Sequence, residues 1–187
     1  MKASVYIATT LDGFIASHDG SIGFLNEYQK ASPEDGDMGF SSFLASVDLI
    51  VMGRKTWDQV VSFGEENWPY GKRAVWVWSR VPESVFVPEC RRGQAVVYSL
   101  SPDRMMELAK EKGHSHIYID GGTTIRAFHG SGFVDEYILS RLPLLLGGGI
   151  PLFENSNAGN EKMAEMDHLE TKSFSNGIVQ SHYRVKR

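Results

Sequence analysis

Three short stretches combine hydroxyls, cations and glycines in the way a bound phosphate requires. Gly53-Arg54-Lys55-Thr56 follows an apolar run, Ser79-Arg80 ends a second, and Gly121-Gly122-Thr123-Thr124 follows a third. Free N–H groups at a helix start favour an anion, and a guanidinium, an ammonium and a hydroxyl add to the attraction. The paired glycines let backbone approach a diphosphate closely. Taken singly, each stretch also reads as a solvated helix start, a surface pair or a turn. The dinucleotide fingerprint of three spaced glycines is absent. Their joint placement after strands points to a nucleotide, because open α/β sheets bind ligands beyond the carboxyl ends of their strands.

A fourth candidate is Asp37, which lies three and seven residues before Phe40 and Leu44. That spacing sets it on the face of the apolar helical stripe. A carboxylate on such a face is paired, protonated or functional. The alternative is that Asp37 simply caps the helix. Trp76 and Trp78 share a strand face, which suits core packing or a dimer surface better than base stacking.

Other chemistries find little support. Cys90 is the single cysteine and the six histidines are scattered, so no metal is expected. A net charge of −4 argues against a nucleic-acid partner. The apolar stretch after Lys2 is interrupted by Thr9, Thr10 and Asp12, too short and polar for a signal peptide or a membrane span. A soluble, cytoplasmic protein is expected.

The elements that must position these residues alternate. Strands are predicted at Val5–Thr10, Asp48–Met52, Ala74–Trp78, Ala95–Leu100, His116–Ile119 and Glu136–Leu142. A helix opens at Gly36-Asp37 and carries Phe40, Phe43, Leu44 and Val47; a short one carries Trp57, Val60 and Val61. Ser101-Pro102-Asp103 gives another an N-cap, a first-turn proline and an acid, and Gly113 closes it. A further helix runs through Phe128. Leu169–Phe174 and Ile178–Val185 alternate about Asn176-Gly177, the pattern of an antiparallel hairpin. The sum is an α/β chain, residues 1–187 as one domain, with a mostly parallel, helix-covered sheet and antiparallel additions.

Several of these stretches resemble known motifs. Val51-Met52-Gly53-Arg54-Lys55-Thr56-Trp57 closely resembles the strand-to-helix motif of dihydrofolate reductases. Leu11-Asp12-Gly13-Phe14-Ile15-Ala16 is similar to the N-terminal motif of the reductase domain in bifunctional riboflavin-biosynthesis deaminase-reductases. Ile119-Asp120-Gly121-Gly122 and Leu146-Gly147-Gly148-Gly149-Ile150-Pro151-Leu152-Phe153 look like later motifs of that group. The resemblance implies a dihydrofolate-reductase-like fold, with about eight strands in a mostly parallel central sheet, binding NADPH. By position, Arg54, Lys55 and Thr56 after Gly53 would hold cofactor phosphates, and Ser79 and Arg80 would complete the 2′-phosphate pocket. Gly121, Gly122, Thr123 and Thr124 would take the diphosphate, across a cis Gly-Gly bond as in the family. Ala8 and Ile15 match positions that contact the nicotinamide amide. Asp37 falls where folate reductases carry their pterin-binding acid, which implies a catalytic, substrate-site role; Asp12 and Phe40 are placed with it as substrate-binding residues.

Two departures narrow the reading. The Pro-Trp of folate reductases is missing from the cleft loop, here the longer stretch 19–35, which argues against dihydrofolate. The zinc deaminase signature of the bifunctional enzymes is absent too. The resemblance therefore implies a stand-alone NADPH-dependent reductase acting on a C=N or C=O carbon of a heterocycle, similar to 5-amino-6-(5-phosphoribosylamino)uracil reductase. Dihydrofolate reduction and non-catalytic nucleotide binding are the alternatives. A small-molecule substrate, no membrane partner and a homodimer complete the expectations.

Overall fold

A computed structural model describes residues 1–28, 35–153 and 163–187. Ten strands and five helices run in the order β1 (Lys2–Thr9), β2 (Phe14–Ala16), α1 (Leu25–Tyr28), α2 (Phe40–Ser46), β3 (Leu49–Gly53), α3 (Arg54–Ser62), β4 (Ala74–Trp78), β5 (Ala95–Tyr98), α4 (Pro102–Glu111), β6 (His116–Asp120), α5 (Gly122–Gly130), β7 (Glu136–Arg141), β8 (Ile150–Pro151), β9 (Met166–Ser173) and β10 (Val179–Val185) among the described residues. Eight form one sheet in the order β5-β4-β3-β6-β1-β7-β10-β9. All its pairs are parallel except those of β10, which runs antiparallel to both neighbours. Strands β2 and β8 make a separate antiparallel pair.

The central strands read as unbroken apolar runs because helices cover both faces. Val51, Ile117 and Ile119 face one core with Met105, Ile125 and Phe128 of α4 and α5. Ile50, Met52 and Tyr118 face the other, with Phe43 and Leu44 of α2 and Trp57 and Val60 of α3. Trp76 belongs to the first core, its ring 4.8 Å from that of Tyr98. Trp78 lies edge-on to Phe128 and donates its indole N–H to Leu100 O at 2.7 Å. Packing thus accounts for both tryptophans.

The cap at α4 forms as its sequence dictates: Ser101 Oγ accepts from the Arg104 amide. Helix α2 differs. It starts at Phe40, not at Gly36-Asp37, because Gly36, Met38 and Gly39 all adopt positive φ (56°, 56° and 89°). A right-handed helix cannot pass through left-handed residues. The C-terminal hairpin begins three residues earlier than the alternation suggests, at Met166. No helix among the described residues is long and apolar enough to cross a membrane.

Trp57 joins α3 to the rest of its core. It is fully buried, and its indole N–H donates to Phe86 O at 2.8 Å. Trp57→Ala leaves a cavity and an orphaned carbonyl, and costs about 3–5 kcal/mol of stability, read from the shift in urea unfolding midpoint.

Candidate functional site

Strands β1 and β6 part company. Their register runs from Lys2↔His116 only to Ser4↔Tyr118, whereas β1 stays paired with β7 through Thr9↔Arg141 and β6 stays paired with β3 through Met52↔Asp120. Beyond Ser4 the sheet is therefore split at its carboxyl end. Backbone groups alternate sides along a strand. Ala3 O and Thr9 O accept from the Asp135 and Leu142 amides on the β7 side, and Tyr6 O accepts from the Tyr118 hydroxyl on the β6 side. By that alternation the main chain of Ala8 faces the split.

On the opposite wall, α3 and α5 begin side by side at the ends of β3 and β6. Their N-caps are Gly53 and Gly121, and neither start is capped by a side chain. Gly121 has φ 84°, and a Cβ there would overlap Thr56 Oγ1. A Cβ on Gly53 would sit 3.0 Å from Thr124 Oγ1. Thr124 Oγ1 is itself buried without a hydrogen-bond partner. Gly53, Thr56, Gly121, Gly122 and Thr124 thus meet at one place, with exposed Thr123 on the first turn of α5. One expectation is corrected. No peptide bond among the described residues is cis, so Gly121-Gly122 is trans. A trans bond is the favoured form for any non-proline residue, and the positive φ of Gly121 supplies the turn.

The end of β4 lies beside the start of α3, since Gly53 and Trp78 are register partners. Ser79 therefore follows directly alongside, its hydroxyl accepting from the Val81 amide at 3.2 Å. Arg54 leaves α3 toward this segment, and its guanidinium donates to Ser84 Oγ at 2.7 Å. Lys55 and Arg80 are exposed nearby in sequence to each partner. The structure thus brings Arg54 to the segment that carries Ser79 and Arg80.

Ile15 and Asp12 belong to a flap over α5. Strand β2 pairs with β8, and Gly149 approaches so closely that a Cβ would overlap Ala16 O. Arg126 of α5 donates to Pro151 O at 2.7 Å, pinning the flap. Ile15 Cδ1 consequently covers Gly122, 2.6 Å from where a Cβ would be. The Asp12 carboxylate accepts from the Thr10 hydroxyl and from the Leu146 and Gly147 amides. These bonds hold its pKa below the ordinary carboxylate range and tie two distant loops together. Asp12 thus fastens the flap, and the structure also holds a cavity that Asp12 does not line.

That cavity, of about 370 Å³, opens beside β1 and is walled by Tyr6, Ala8, Tyr28, Asp37, Phe40 and Ser140, among others. Asp37 and Phe40 are thus together, though Asp37 precedes the helix instead of riding its apolar face. Its carboxylate accepts from the Gly39 amide at 3.0 Å and the Ser41 amide at 2.6 Å. The Ser41 hydroxyl and amide, with that of Gly39, hold its carboxyl below the usual range. Asp37 therefore bonds the first turn of α2 from two residues ahead of its Gly39 N-cap and stands, ionised, at the cavity wall. Beneath, buried Gln180 donates through Nε2 to Ser140 Oγ at 3.0 Å and Tyr6 Oη at 2.9 Å.

Asp120 behaves oppositely. It ends β6 at the split, and Tyr70 donates to it at 2.9 Å. Burial pushes its carboxyl above the ordinary range, against the hydrogen bonds from Tyr70 and the Gly121 amide. Neither Asp120 nor Gln180 is among the residues singled out from the sequence. The available signal for Asp120 was its position directly before the glycine pair.

The RibD C-terminal domain family matches residues 2–180. The chain belongs to that family. The uncharacterized protein YwjB of Bacillus subtilis (strain 168) is 34% identical over 97% of both chains. Among solved structures, a protein of Shewanella sp. PV-4 named for riboflavin biosynthesis is 33% identical, with a TM-score of 0.86 over 100% of both chains. Dihydrofolate reductase of Enterococcus faecalis, complexed with NADP(H) and RAB-propyl, superposes with a TM-score of 0.64 at 13% identity, covering 100% of this chain and 97% of its own. The architecture of this RibD-type domain is therefore dihydrofolate-reductase-like, the α/β class its strand order requires.

Two substitutions test the local physics. Gly121→Ala must shift Thr56 and hold alanine at positive φ, so it lowers stability by more than 1 kcal/mol in urea unfolding. Asp120→Asn removes a carboxyl whose folded pKa lies above its unfolded one. The folded state then binds more protons, so ionisation of Asp120 erodes stability as pH rises from the unfolded toward the folded value. The variant is expected to melt a few degrees higher than the wild type at neutral pH, with the difference vanishing in acid; thermal melts across pH check the sign.

Proposed function

We propose that this RibD-type domain is an NADPH-dependent reductase that adds hydride to a C=N or C=O carbon of a heterocyclic substrate such as a ribosylaminopyrimidine. One observation carries the reading: two uncapped helix starts meet through Gly53, Thr56, Gly121 and Thr124 at the ends of β3 and β6, beside the split between β1 and β6, while a cavity along β1 is walled by the ionised Asp37. The fit to a dinucleotide is supported by the close approach of Thr56 to Gly121 and of Thr124 to Gly53, which packs the two helix starts together, and by the unpartnered Thr124 hydroxyl. The Enterococcus reductase, of the same fold, was solved with NADP(H).

In this reading Gly53, Thr56 and Gly121 to Thr124 hold the diphosphate, while Arg54, Lys55, Ser79 and Arg80 hold the 2′-phosphate. The Ala8 main chain takes the nicotinamide amide and Ile15 covers the ring from the flap. The cofactor, when bound, supplies the hydride. Phe40 packs on the substrate ring, and Asp37 accepts hydrogen bonds from its donor edge. A carboxyl with a lowered pKa is a poor proton source, so in this reading the proton comes from Asp120, at the end of β6 beside the split. A buried carboxyl whose pKa is raised is better matched than Asp37 to protonate the nitrogen or oxygen left electron-rich by hydride addition.

Calorimetry with NADPH and NADH tests the cofactor assignment. The wild type is expected to prefer NADPH, and Arg54→Ala to weaken NADPH by about tenfold or more while sparing NADH. Binding of neither cofactor would remove the reductase reading and leave the fold.

A further inference from the structure

The segment after β4 is fastened to α3 at two points one helical turn apart. Trp57 donates to Phe86 O at 2.8 Å, and Arg54 donates to Ser84 Oγ at 2.7 Å. The first strut is core packing, since Trp57 is fully buried. The second is exposed and buries nothing that needs burying, so a different account is required for it.

Ser84 closes a single 3-10 turn, Pro82–Ser84, with its hydroxyl donating to Val81 O at 2.7 Å. A serine hydroxyl has one hydrogen. That hydrogen is committed to Val81, so the lone pairs are turned outward, where Arg54 Nη1 finds them. Arg54 Nε also reaches Asp58 Oδ2 at 3.4 Å, one turn along the helix. Such an exposed i,i+4 pair adds little stability of its own. Together, however, the two contacts stretch the guanidinium between α3 and the Val81–Ser84 turn, beside the segment that begins at Ser79 and Arg80. A guanidinium has five N–H donors, so most remain for an oxyanion.

A long arginine side chain loses much rotamer freedom when it clamps a phosphate. Holding it beforehand removes part of that cost from the binding step. We infer that Ser84 is a positioning residue that sets the preference for a 2′-phosphorylated dinucleotide by fixing Arg54 against the Ser79-Arg80 segment. This rests on the NADPH reading above and adds a determinant of selectivity to it.

Calorimetric Kd values for NADPH and NADH separate this role from a merely structural one. Ser84→Ala is expected to reduce the NADPH-over-NADH preference roughly 3–10-fold by weakening NADPH alone. Trp57 keeps the segment docked in that variant, so folding survives. Ser84→Thr, which retains the hydroxyl, is expected to restore the preference. Adding Ser84→Ala to Arg54→Ala should cost nothing further, since the serine acts through the arginine. Equal weakening of both cofactors by S84A, an unchanged preference, or full additivity in the double variant would each overturn the inference while leaving NADPH use intact. A wild type with no NADPH preference would take down the cofactor reading and this inference together.

Discussion

The interaction on which the site depends is one that stops. Parallel strands gain a hydrogen bond at every step, yet β1 and β6 cease pairing after Ser4↔Tyr118 although both continue. Each is held elsewhere, β1 by β7 and β6 by β3, so the sheet stays whole while its carboxyl end opens. Buried backbone groups on the freed edges need partners. At Tyr6 the Tyr118 hydroxyl substitutes for the missing ladder bond. At Ala8, the next residue facing that way, the chain offers its main chain to the split. The strand order enforces this location: β1 leads to β3, two places away, and β6 later fills the gap between them. Crevices of that kind are where open α/β sheets bind ligands.

Two aspartates show how little residue type decides by itself. Asp37 accepts from the amides of Gly39 and Ser41 at the start of α2, and those bonds favour its charged form. Asp120 ends a central strand, where desolvation outweighs the hydrogen bonds it receives. A pair of carboxyls pushed apart in this way can divide labour, one binding as an anion and one handling a proton. Neither direction follows from spacing. The periodicity that set Asp37 on an apolar face assumed a helix already running at residue 37, and the left-handed residues at 36, 38 and 39 forbid that.

The sheet itself was legible. Ala74–Trp78 reads to the residue, Leu49–Gly53 within one at both ends and His116–Asp120 within one at its last residue, because strands buried on both faces are continuous apolar runs bounded by turn residues. The start of α4 was equally readable from Ser101 and Pro102. What could not be read is long-range and short in extent. Strands β2 and β8 are three and two residues long, too brief for any period, and they exist because residues 14 and 151 meet in space. Asp12 likewise acquires its partners from residues 146 and 147. The phosphate-suited stretches were visible by composition, but their meeting at one place depends on the register of β3 with β4 and β6. Residue types announced the chemistry, and pairing alone located it.

The cavity walled by Asp37 and the split are fixed to each other through β1. Met38 is the one non-glycine residue with positive φ among those described, a conformation that costs about 1–3 kcal/mol when strained. Its carbonyl is held by the Tyr6 hydroxyl at 2.8 Å and reached by Gln180 Nε2 at 3.3 Å. The loop that carries Asp37 is thereby tied to Tyr6, and Tyr6 stands two residues before Ala8 on the same strand. Gln180 and Ser140 bind that strand from β10 and β7 in turn. Hydride transfer requires donor and acceptor carbons held within roughly 3–3.5 Å. A reductase built on this chain would set that separation by a single braced strand, with the acid loop on one side of it and the nicotinamide edge on the other. In such a reductase the Met38 carbonyl, held by Tyr6, would be the point where substrate placement and cofactor placement become one mechanical problem.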